Sequence, residues 1–140
     1  MELRFLSVAT VTLLSAAIIA GGCAQSGITT QPLSDVTRIE LTDNMSRSPK
    51  VISDPTQIKS IVEFANSYRT KWAKPFPETP IPVFVANFYD GSKFLGHFGA
   101  GKTFFETQCQ DDFCSQKVSE SEIKEFLRIT GESEAVLERP

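Results

Sequence analysis

Val83-Phe84-Val85-Ala86-Asn87-Phe88-Tyr89, followed by Asp90-Gly91, decides the fold. Branched and aromatic side chains dominate this run, and they suit a pleated backbone. Both of its faces are largely apolar, which places the strand in the middle of a sheet rather than at its edge. Asp90-Gly91 is a hairpin signal, because a tight turn needs residues that tolerate positive φ. Residues 93–98 therefore return as the antiparallel partner. Gly99-Ala100-Gly101 turns the chain again into residues 102–107, giving a three-strand meander.

Working outward, residues 36–42 read as a strand. Thr37, Ile39 and Leu41 share one face, and Arg38 and Glu40 the other. A turn region containing Asp43-Asn44 and Ser46-Arg47-Ser48-Pro49 leads to a short partner strand at residues 50–52. Asp54-Pro55 opens a helix: Asp54 caps, Pro55 suits the first helical position, and Gln57 completes the box-like spacing. Ile58, Ile61, Val62, Ala65 and Tyr68 recur on one helical face. Pro75, Pro77, Pro80 and Pro82 keep the following stretch extended. Past the meander, a short strand is expected at residues 116–118. Ser119-Glu120-Ser121-Glu122 is a capping box, and the helix it starts turns Ile123, Phe126 and Leu127 inward and stops at Gly131. The expected architecture is α+β: a single antiparallel sheet of about five strands with two helices packed on one face, in the order ββα-βββ-α.

The N-terminus reads as an address. Met1-Glu2-Leu3-Arg4 is short and carries a positive charge at Arg4, residues 5–20 are apolar and uncharged, and Ala20-Gly21-Gly22 are small. This context, ending in Ile18-Ile19-Ala20-Gly21-Gly22-Cys23, resembles the lipobox of bacterial lipoproteins. The resemblance implies a signal peptide over residues 1–22, cleavage before Cys23, and a diacylglyceryl group on that cysteine. Residues 23–34 then become the lipidated cysteine and a flexible tether, with residues 24–32 spanning on the order of 20 Å as a coil. The globular domain is expected over residues 35–131 and a polar, frayed tail over residues 132–140. Ala24, rather than Asp, follows the cysteine. By the same resemblance this favours an outer membrane, on its periplasmic side in a Gram-negative cell.

Cysteine arithmetic agrees with export. The chain has 3 Cys, and an odd cysteine in an exported protein needs a role. Lipid on Cys23 leaves Cys109 and Cys114 as a pair, able to close a six-residue disulfide loop in an oxidising compartment. Removing residues 1–22 takes away one acid and one base, so the net charge stays at −3. Such a balance offers no basic field for nucleic acid. The 118 residues that remain suffice for one domain. Eleven Phe argue for a packed aromatic core.

Two motifs invite chemistry and are set aside on physical grounds. Residues 96–103 contain Gly96, Gly101, Lys102 and Thr103 at the spacing of a phosphate-binding loop. That loop works only where Lys-Thr opens a helix whose amides face the phosphates. Here Phe104-Phe105-Glu106-Thr107 follows, which reads as a strand, and an exported domain has no ATP supply. His97, the single histidine, alternates with the neighbouring Phe residues and is expected on the open sheet face. No nucleophile signature surrounds it. Neither a metal site nor a cofactor is implied.

The expected partner surface is the stretch Tyr68, Arg69, Lys71, Trp72, Lys74 and Phe76, which mixes aromatics with cations beside a proline-stiffened loop. Asp111 and Asp112, in the disulfide loop, are a second place to meet a basic partner. The leading expectation is a membrane-anchored, non-enzymatic binding or accessory module that contacts an envelope protein or cell-wall component, with no nucleotide or nucleic acid involved. The alternative is an envelope-protecting inhibitor or immunity-type protein using the Cys109–Cys114 loop. A small hydrolase using His97 ranks third.

Overall fold

The structure is a computed structural model that describes residues 27–45, 48–74, 78 and 81–138. Cys23, Phe76 and residues 1–22, where a signal peptide is expected, lie outside the described residues. The elements in chain order are β1 (Arg38–Asp43), β2 (Lys50–Ile52), α1 (Pro55–Ser67), β3 (Phe84–Asp90), β4 (Lys93–Ala100), β5 (Phe104–Cys109), β6 (Asp112–Lys117) and α2 (Glu120–Thr130). A short 3-10 helix at Glu134–Glu138 follows. All strand pairs are antiparallel, in the order β2-β1-β3-β4-β5-β6. The architecture is the expected α+β sheet with two helices, with six strands rather than about five. β3 lies inside the sheet between β1 and β4, as its two apolar faces require.

Alternation along the strands sends Ile39, Leu41, Phe84, Ala86, Phe88, Phe98, Ala100 and Phe105 to one face, where all are buried. The helices cover that face with Ile58, Ile61, Ala65, Ile123, Phe126 and Leu127. Phe126 of α2 is the hub. Its ring packs 5.5 Å from Phe64 of α1, and 5.7, 5.2 and 5.8 Å from Phe84, Phe98 and Phe105 of the sheet. Both helix starts behave as their sequences dictate. Asp54 accepts from the Gln57 amide at 2.8 Å, and the Ser119–Glu122 capping box is complete. Gly131 closes α2 at φ 74, a left-handed conformation that glycine adopts without a steric penalty.

Four boundaries differ from the expectation, each for a tertiary reason. Gly99 and Ala100, expected in a turn, extend β4 through their pairing with Val85 and Phe84. Residues 112–117 form a full strand where a loop and a three-residue strand were expected. Six register pairs to β5, from Cys109↔Asp112 to Phe104↔Lys117, supply what the local sequence lacks. The described part of the tether, from Gly27 to residue 34, is bound to the domain from Ile28 onward. Ile28 and Trp72 exchange backbone hydrogen bonds of 2.7 and 3.2 Å, Thr30 N–H donates to Arg69 O, and the Asn66 amide clasps both backbone groups of Leu33 at 2.8 and 3.0 Å. Ile28 and Leu33 pack against the core, an apolar gain that free coil forgoes. The C-terminal tail is likewise attached, because Val136 is buried in the core.

Candidate functional site

Both helices pack on one sheet face, and among the described residues no helix covers the other. Register places Val51, Glu40, Asn87 and His97 in one cross-strand row and Arg38, Tyr89 and Phe94 in the next. Glu106 and Ser115 face each other across β5 and β6 on the same side. Val51, Phe94 and Phe113 are large apolar side chains that stay exposed there, at 53%, 46% and 47%.

At the centre, His97 Nε2 meets Glu106 Oε1, with side chains only 11% and 5% exposed. A buried carboxylate is costly unless it is paired, and His97 is that partner. Thr107 Oγ1 donates to the His97 carbonyl at 2.8 Å, and the Phe113 ring lies 5.7 Å from the imidazole. Pro82 sits over Gly99, so closely that a Cβ there would come within 2.8 Å of it. Nearby, the Arg38 guanidinium lies 4.4 Å above the Tyr89 ring and pairs with Glu40. Burial pushes the Tyr89 hydroxyl above its usual value, the Glu40 carboxylate adds to this, and Arg38 opposes it. Phe94 packs against Tyr89 at 5.6 Å.

This arrangement is a pre-ordered aromatic and polar platform. Its strand order puts Glu106 between His97 and Ser115. Ser115 is thus one strand further from His97 than Glu106 is. His97 lies on the open face as its alternation implied. Trp72 does not cover it, because the indole packs edge-on to Phe98 at 6.1 Å on the helix side.

The expected partner stretch is divided by the fold. Trp72 belongs to the interior, which corrects its assignment to a contact surface, while Tyr68 is half-buried against the core. Trp72 is 1% exposed. Tyr68 packs 4.9 Å from Phe105, and its hydroxyl donates to Glu122 at 2.9 Å. Arg69 is half-buried and donates through Nε to the Thr30 carbonyl at 3.1 Å. Lys71 and Lys74 remain exposed. Lys74 Nζ lies 3.6 Å from Asp112, and the Ala73–Ser115 bridge holds the segment against β6. Asp111 and Asp112 sit at the turn of the β5–β6 hairpin, which the Cys109–Cys114 disulfide staples with a Cα–Cα distance of 5.7 Å. A groove of about 420 Å³ lies between the residue 28–33 strap, α1 and the hairpin; Arg69, Gln108 and Gln110 line it.

Lys102 and Thr103 form an exposed turn ahead of β5. Lys102 Nζ lies 3.3 Å from Glu138, and the Thr103 carbonyl accepts from Val118. The segment thus lacks the helix start that a phosphate loop requires. Among the described residues no three His, Cys, Asp or Glu side chains converge on a metal-sized site, and no helix is long and apolar enough to cross a membrane. Sequence reasoning missed the Glu106–His97 pair and the Tyr89–Phe94–Arg38 cluster. The available signal was period-two alternation carried across the register of β1, β3 and β4. No protein-family model, curated protein or solved structure matches the chain.

Proposed function

We propose that this chain is a lipid-anchored, non-enzymatic binding module of the cell envelope, and that the open sheet face is where it meets its partner. The signal-like N-terminus and Cys23 support the anchor and an outer-membrane, periplasm-facing location. The observation that supports the binding role is the face that no helix covers among the described residues, with Phe94 and Phe113 exposed on either side of a nearly buried His97–Glu106 pair. Exposed aromatics beside Arg38 and Tyr89 are the side chains that anchor protein interfaces, because they bury large area with little loss of rotamer freedom. An envelope protein is therefore favoured over a cell-wall polymer. His97, bonded to Glu106 and placed away from Ser115, serves this face as a rigid centre.

Photo-crosslinking in living cells tests the reading. A crosslinking side chain at Phe94 or at Phe113 is expected to capture one shared partner, and the same group at Lys59 on α1 is expected not to. Equal capture from all three positions, or none from the sheet face, would remove the open face as the contact surface.

A further inference from the structure

The chain leaves the described domain at a fixed place. Ile28 is bonded to Trp72, and Gly27 crosses Lys71 so tightly that any Cβ would collide with the Lys71 backbone. If Cys23 is the lipidated residue, five Cα steps separate it from Ile28, a reach of at most about 18 Å fully extended. That is too short for the domain to present any side it likes to the membrane. The side nearest Gly27 must stay close to the headgroups.

That side carries a local charge opposite to the rest of the molecule. Arg69, Lys71 and Lys74 gather there beside the β5–β6 turn with Asp111 and Asp112, in a protein whose net charge is −3. Lys74 offsets Asp112 at 3.6 Å. Lys71 is exposed, and neither it nor Arg69 makes an ion pair among the described residues. Asp111 offsets one of these two, leaving one net cation.

We propose that this side, around Gly27, Lys71 and Lys74, seats on the anionic surface of the bilayer and fixes the orientation of the domain. The proposal rests on the lipid anchorage put forward above. One lysine-sized attraction to an anionic leaflet favours the seated orientation about fivefold. The tether has already brought the domain to the surface, so this bias acts on orientation alone. A partner then approaches an orientated platform rather than a tumbling one.

Amine-labelling footprinting with mass spectrometry tests this on the full lipidated protein. It is reconstituted in vesicles of phosphatidylethanolamine with phosphatidylglycerol, and in vesicles of phosphatidylcholine. Lys59 serves as the reference, since it lies about 12 Å along α1 from Ser67, the helix end next to Arg69. The expected result is labelling of Lys71 and Lys74 slower by up to about fivefold in the anionic vesicles, with Lys59 unchanged. The protection should fade at about 0.5 M salt, where charges are screened within a few ångström. Intact mass of the purified protein, with Cys23→Ala as the control, reads the anchor separately. A lipidated, vesicle-bound protein in which Lys71 and Lys74 label equally fast in both vesicles overturns the seat and leaves the anchor standing. A protein with no lipid on Cys23 overturns both.

Discussion

Tyr68 and Trp72 lie four residues apart among cations, and local sequence makes them look like a contact patch. Their rings instead pack on Phe105 and Phe98. Burial of an aromatic depends on what the rest of the chain brings over it, and that is absent from its neighbours in sequence. Tyr68 then gains a polar role. Its hydroxyl reaches Glu122 at 2.9 Å, joining the last turn of α1 to the capping box of α2. Hydrogen bonds from Ser119, backbone first and then side chain, and from Tyr68 hold the Glu122 carboxyl below its usual range. Burial, and then the Glu122 carboxylate, hold the Tyr68 hydroxyl well above its usual value. The signs follow by linkage. A depressed carboxyl contributes stability above its unfolded pKa near 4.3, lost as pH falls through the folded value. A raised phenol contributes below about 10, lost as pH rises further. Tyr68→Phe is therefore expected to cost about 1–1.5 kcal/mol at neutral pH. Urea unfolding across pH should show that cost as a plateau between roughly pH 5 and 10, shrinking below pH 4. A pH-independent cost would mean that the mutation acts through packing alone.

Most elements were legible because their signals are local. The Asp90-Gly91 turn, the Asp54 and Ser119 caps and the Gly131 stop each act within a few residues, and the structure uses all of them. β6 was legible only at its end, near residues 116–117, because Asp112–Lys117 shows no apolar alternation and becomes a strand through β5. The strap at residues 28–33 was hidden for the same reason: a polar stretch is fixed by two apolar anchors and by Asn66, a residue 33 positions away from Leu33. On the candidate site, the open position of His97 could be read from alternation, and its pairing with Glu106 needed the β4–β5 register. The hairpin of β5 and β6 gives the element-scale prediction. The disulfide closes a loop of only six residues, so it restrains little chain entropy in the unfolded state. Reduction, or Cys109→Ser with Cys114→Ser, should cost about 2 kcal/mol in the chain-entropy model. The melting temperature should fall by roughly 6–12 °C. The six register pairs remain in place, so far-ultraviolet circular dichroism should show the sheet intact at low temperature. Loss of the sheet on reduction would show that the staple creates the hairpin rather than supporting it.

At the scale of the molecule, one aromatic cluster ties three layers of contact together. Phe64 comes from α1, Phe126 from α2, and Phe84, Phe98 and Phe105 from the sheet, with Phe126 touching all four of the others. The strap and the C-terminal 3-10 helix close over the same core through Ile28, Leu33 and Val136. Few layers and one shared core make unfolding a single event, since no helix keeps a packed face once the hub is lost. Phe126→Ala removes a fully buried ring at the point where both helices and the sheet meet. The expected cost is about 3–5 kcal/mol, a large part of the stability of a domain this size. Phe126→Leu, which retains most of the volume, should cost well under half of that. Circular dichroism reports the backbone and fluorescence of the single Trp72 reports the core. Their urea transitions should coincide for the wild type and for Phe126→Leu. Separate transitions would show that the helices and the sheet unfold as independent units, and that the aromatic cluster does not couple the sheet to the layer behind it.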